Sequence, residues 1–209
     1  MSIARILTAA VFATAFAATA SAQAPQQAVP VIGQIQGVDG NLLVVKTQAG
    51  EQKVALANNV AVWGLEKASV SDVGKNAFIG VGATPQADGS QKAVEVHIFA
   101  ESQRGQGDGH RPGWYGTPNG TMTNGAVEPG GTVGAAATSG GDPVFVVKYK
   151  EGDKRIVVPS NAHIVRYEVG SKSDIKAGAP FATQAAVKQT DGSFTAERIN
   201  VGKNGGRPF

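Results

Sequence analysis

The 209-residue chain contains no cysteine. That excludes a disulfide framework, a thiolate metal ligand and a cysteine nucleophile, so stability has to come from ordinary burial of apolar surface. A strong charge of one sign is also missing, since 19 Lys and Arg against 16 Asp and Glu leave a formal +3. Charges alternate in Lys150-Glu151-Gly152-Asp153-Lys154-Arg155. That is the pattern of a solvated hairpin face and not of a basic patch, which argues against nucleic acid as a partner. Beyond the N-terminus no run is apolar enough to cross a bilayer, which takes about 20 residues. There is no G-x-S-x-G elbow. Gly105-Gln106-Gly107-Asp108-Gly109 lacks the Gly-Lys-Ser/Thr of a phosphate loop and leads into no helix.

Met1 to Ala24 reads as a leader. A short region with Arg5 precedes an apolar Ala- and Phe-rich stretch and the small-residue site Ala20-Ser21-Ala22, the layout of a cleavable signal peptide. We expect cleavage after Ala22, export to a bacterial periplasm and no membrane span in the mature chain.

Self-similarity sets the expected architecture. LLVVKTQAGEQKVAL (42–56) matches VFVVKYKEGDKRIVV (144–158), with Gly50 on Gly152, a spacing of 152 − 50 = 102. Ser71-Asp72-Val73 falls on Ser173-Asp174-Ile175 at that spacing. Asp88-Gly89-Ser90 falls on Asp191-Gly192-Ser193 at 191 − 88 = 103. Short β-branched runs with turn residues between them indicate strands, and each Asp-Gly indicates a tight primed hairpin turn. The fold class expected is all-β: two tandem small β-barrel or sandwich-like modules related by internal duplication. The expected layout is a signal peptide (1–22), a first module (31–101), a Gly-rich junction loop or linker (102–129), a second module (130–203) and a mobile tail (204–209). Gly130 to Ala137 is the expected first strand of the second module. A protease cutting between about Thr117 and Gly130 should then release two β-rich pieces.

The features Gly33, LLVVKTQAGE, SDVGKNAF and ADGSQKAVEVHIF, with VFVVKYKEGD, SDIKAGAPF and TDGSFTAERINV in the second copy, resemble a family of bacterial exported small β-barrel domains of unknown function. The resemblance implies export and a small barrel-like fold, and it implies no catalytic residues.

Chemistry concentrates at the end of the first copy and in RGQGDGHRPGWYG (104–116), which has no counterpart in the second copy. Alternation in KAVEVHIFAE puts Val94, Val96 and Ile98 on one face and Glu95, His97 and Glu101 on the other, which reads as a solvated face. With the loop folded back, His97, Glu101, Asp108 and His110 would form an imidazole–carboxylate set suited to zinc or copper. At the equivalent positions of the second copy Glu95 becomes Arg198 and His97 becomes Asn200. Arg104, Arg111, Trp114 and Tyr115 are the candidate ligand- or partner-binding residues of the loop. The function expected is therefore non-enzymatic: binding or cell-envelope interaction, with an envelope protein or a small ligand as partner. A periplasmic divalent-metal-binding protein is the alternative. A hydrolase with an unrecognised carboxylate site is the third reading, because carboxylate pairs are set in three dimensions.

Overall fold

The computed structural model describes residues 28–114, 117–128, 138–139 and 141–208. The leader with its cleavage site, Tyr115, and the strand expected over Gly130 to Ala137 lie outside the described residues. Within them the chain is all-β. The strands are β1 (Ala28–Asp39), β2 (Leu42–Thr47), β3 (Gly50–Lys67), β4 (Phe78–Pro85), β5 (Gln91–Ile98), β6 (Gly109–Trp114), β7 (Thr117–Val127), β8 (Thr138–Ser139), β9 (Asp142–Tyr149), β10 (Gly152–Val157), β11 (His163–Val169), β12 (Pro180–Lys188) and β13 (Phe194–Lys203). No helix among the described residues is long and apolar enough to cross a membrane.

Pairing closes two five-stranded rings. The first runs β2-β1-β12-β13-β3 and returns to β2, and the second runs β9-β7-β4-β5-β10 and returns to β9. Each ring encloses an apolar core. Ile35, Leu43, Val45, Val54, Phe181 and Ile199 fill the first; Ile79, Val81, Val96, Phe145, Val147 and Ile156 fill the second. Closure removes most free sheet edges, a usual solution for small all-β folds.

The rings do not follow the expected boundaries at 101 and 130. The first takes β1–β3 from the N-terminal part of the chain and β12–β13 from the C-terminal part. The second takes β4 and β5 from one part and β7, β9 and β10 from the other. The segment expected to be a linker also contains β7, which pairs with β4, β6 and β9. Gly33 of β1 and Gly125 of β7 occupy matching places. A Cβ on Gly33 would meet the Lys46 carbonyl oxygen at 2.1 Å, and one on Gly125 would meet the Lys148 carbonyl oxygen at 2.4 Å.

The pairings recur at the spacing seen in the sequence. Phe194 lies parallel to Val54, and Gln91 parallel to Ile156. Between the rings β3 and β11 run antiparallel, with Leu65 opposite Tyr167, flanked by Lys67–Val165 and Trp63–Val169. The chain therefore crosses itself about a local two-fold that passes by Leu65 and Tyr167.

The Asp-Gly turns differ from the expected two-residue form. The Gly89 N–H donates to the Gln86 carbonyl and the Gln86 N–H to the Ser90 carbonyl, with the same pattern at Gln189, Gly192 and Ser193. Gly89 and Gly192 take φ of 81° and 84°, so these are three-residue loops with a left-handed glycine. The Asp carboxylates are committed to the turn: Asp88 Oδ1 accepts from the Ser90 N–H at 3.0 Å and hydroxyl at 2.6 Å. Asp191 holds Ser193 in the same way.

Candidate ligand-binding site

From Glu95 to Ile98 the strand carrying Glu95 and His97 is buried on both faces. β5 is hydrogen-bonded to β4 on one side and to β11 on the other, with His97 opposite both Gly80 and Val165. Val96 and Ile98 face the second core. Glu95 and His97 face the layer between the rings, 3% and 4% exposed, and Val94 is the residue left 44% exposed. This corrects the expected solvated face. A strand covered on both sides can carry polar residues only if they satisfy one another, and Glu95 Oε1 lies 2.8 Å from His97 Nε2.

A cluster of rings surrounds the pair. His97 meets Tyr167, Trp114 and Phe99 edge-on at 5.5, 5.8 and 6.4 Å. Phe99 stacks on Tyr167 at 5.3 Å, and Trp63 meets Tyr167 at 6.4 Å. Burial, and next the charge of Glu95, push the Tyr167 phenol well above its usual value, so its hydroxyl stays protonated. Asn200 Nδ2 donates to that hydroxyl at 3.4 Å.

Beside these rings lies a cavity of about 890 Å³. His97, Phe99 and Tyr167 form one side. Thr183, Gln184 and Ala185 of β12, with Arg198 and Asn200 of β13, form another. The loop 104–114 and β7 close it with Gln106, Gly107, Arg111, Gly113, Trp114, Met122 and Asn124. Trp114 can lie there because Gly82 has no side chain: a Cβ on Gly82 would fall 2.3 Å from the indole.

The loop is tied down at each polar residue. Gly105, Gly107, Gly109 and Gly113 all have left-handed φ, which explains its glycine content. Asn124 Nδ2 donates to the Gln106 carbonyl at 3.0 Å, Arg111 Nη1 to the Gly107 carbonyl at 2.9 Å, and Arg198 Nη1 to Gln106 Oε1 at 2.9 Å. Arg198 also lies over the Trp63 ring at 5.5 Å.

The four residues of the expected metal set are not brought together. His97 lines the cavity, and Glu95, 2.8 Å from it, does not. Glu101 sits on an exposed turn, where Arg104 Nη2 donates to its Oε2 at 2.8 Å. Asp108 Oδ1 accepts from the Lys150 N–H at 3.1 Å. His110 Nδ1 lies 2.8 Å from Thr123 Oγ1, and its ring stacks on Tyr149. Among the described residues no group of three or more His, Cys, Asp or Glu converges. Of the expected binding residues, Arg111 and Trp114 line the cavity. Arg104 instead turns back to the Asn76 carbonyl at 2.9 Å and to Phe78.

Sequence reasoning missed Phe99, Asn124, Tyr167, Arg198 and Asn200. One signal pointed to two of them. The expected repeat differs at Glu95/Arg198 and at His97/Asn200, and all four residues act on Tyr167: His97 by ring contact, Asn200 by a hydrogen bond, Glu95 and Arg198 by charge. No protein-family model, curated protein or solved structure matches the chain.

Proposed function

We propose that this chain is a non-enzymatic, exported binding protein whose small-molecule ligand occupies the cavity between the two rings. The carrying observation is the cavity itself, about 890 Å³, within the range of small-molecule sites. It combines aromatic walls with fixed polar groups. Asn124 and Asn200 line it, each fixed through its Nδ2, on the Gln106 carbonyl and on the Tyr167 hydroxyl.

Binding without reaction is supported by how the reactive groups are used. The Thr183 hydroxyl is donated to the Arg198 carbonyl at 2.8 Å, and Glu95 is in contact with His97. Export is supported by the leader pattern of Met1 to Ala24.

Both tryptophans of the chain belong to this layer, so intrinsic fluorescence reports on the site. A library of polar metabolites screened by tryptophan emission and melting temperature should give ligands that shift both. Asn200→Leu keeps both indoles and should weaken those ligands at least tenfold. A ligand with unchanged affinity for that variant would place binding elsewhere and overturn the proposal.

A further inference from the structure

We infer that the ligand is an amphiphilic anion, an apolar body with a carboxylate or phosphate head; this rests on the cavity being a binding site. The head is set by charge. Arg111 and Arg198 both line the cavity, and no Asp or Glu does. The two guanidiniums are anchored on consecutive residues of one loop, Arg198 Nη1 on Gln106 Oε1 and Arg111 Nη1 on the Gly107 carbonyl, each at 2.9 Å. Trp63 covers Arg198 at 5.5 Å and fixes it further. Arg104 and Arg166 each form an ion pair with a carboxylate, whereas among the described residues neither Arg111 nor Arg198 forms one. Both are exposed, so a ligand reaches the N–H groups they have left. Two cations held on one loop without a counter-ion favour an anion. A guanidinium fixed in advance loses little freedom on gripping the paired oxygens of a carboxylate or phosphate.

The body is set by what the wall has left to offer. Its buried polar side chains are already used within the protein. Asn124 and Asn200 donate to the Gln106 carbonyl and the Tyr167 hydroxyl, and their Oδ1 atoms are sealed from the cavity. The Thr183 hydroxyl donates to the Arg198 carbonyl, and His97 lies against Glu95. The other polar side chains of the lining, Gln106 and Gln184, are exposed like the two arginines. What remains is apolar: Phe99 and Trp114, both half-buried, with Met122 and Ala185. Such a wall favours a ligand that withdraws apolar surface from water. A polyol would give up its water contacts there for few partners, and a cationic ligand would meet two arginines. A bare inorganic ion would leave the apolar lining uncovered.

The experiment is calorimetric titration of the purified mature chain with naphthoate and naphthyl phosphate, against naphthol, acetate and inorganic phosphate. At least one naphthyl anion should bind about tenfold or more tighter than the three controls, and the tighter of the two identifies the head. Added sodium chloride should weaken that binding, because both arginines are exposed. Arg111→Gln and Arg198→Gln should each weaken the naphthyl anion severalfold and leave naphthol unchanged, with circular dichroism and melting curves like those of the parent. Arg111, held by a single bond, carries the test alone if Arg198→Gln melts early. Equal affinity for naphthol, or an Arg111→Gln variant that binds the anion as tightly as the parent, would overturn the anionic head. Acetate or inorganic phosphate binding as tightly as its naphthyl counterpart would overturn the apolar body. Neither heat nor a melting shift with either naphthyl anion would overturn the inference as a whole. The metabolite screen separates the two levels: a neutral or cationic hit sensitive to Asn200→Leu sinks only the anionic class, while a blank screen sinks the cavity as a site.

Discussion

His110 shows how a residue chosen for one chemistry can be occupied by another. It was a candidate ligand because a loop histidine near carboxylates suits a divalent ion, yet its ring packs on Tyr149 and bonds Thr123. Burial, and then the charge of Lys154, hold its pKa below the usual 6.5. The unfolded chain therefore takes up this proton before the fold does. The stability His110 contributes is full above about pH 6.5 and is lost as pH falls through the lower folded value. Melting temperature should drop between pH 7.5 and 5.5, and His110→Gln should remove part of that drop. An unchanged pH dependence in the variant would show that burial of this ring is not its source. Glu95 and His97 teach the complementary lesson. Period-two alternation puts them correctly on one face, but alternation cannot say whether that face meets water or a second layer. Only the crossing of β3 and β11 decides that, and the crossing is not written in any local pattern.

The strands read from sequence are those with β-branched alternation, β2, β5, β9 and β10 among them, and the local steps between them. The strand left as linker is β7, because TPNGTMTNGAV (117–127) looks too polar to be buried. Its polar side chains are inside because they are partnered: Thr121 donates to Gln91 Oε1 at 2.7 Å, and Thr123 is bonded to His110. What β7 shares with β1 is a glycine where the next strand of the ring passes over it. Gly33→Ala and Gly125→Ala should each destabilise by about 1–3 kcal/mol through overpacking, since a carbonyl occupies the place of the new methyl. Gly37→Ala, on the same strand as Gly33 but with open space around it, is the matched control and should leave chemical denaturation nearly unchanged. Equal losses at Gly33 and Gly37 would mean that helix- or strand-wide backbone freedom, and not the crossing, sets the cost.

Across the molecule, the duplication expected from the sequence is not laid out as beads on a string. Each ring borrows strands from both parts of the chain, so cutting the connection between β7 and β9 breaks no ring pairing. A protease site placed between residues 129 and 137 should yield two fragments on a denaturing gel and one particle of unchanged size on gel filtration. Two separate particles would refute the interleaving. The same interleaving governs the order in which the protein can be built. β1 to β3 emerge from the ribosome well before the strands that close their ring, Pro180–Lys188 and Phe194–Lys203, which begin 180 − 67 = 113 residues after the end of β3. The first barrel therefore cannot close until those late strands have been synthesised. Its closing contacts span most of the sequence, which makes folding slow and leaves the early strands open for longer. Under the export proposed above, the chain would pass a membrane pore as an extended thread, and the delay would be an advantage: it would arrive on the far side before it is able to fold.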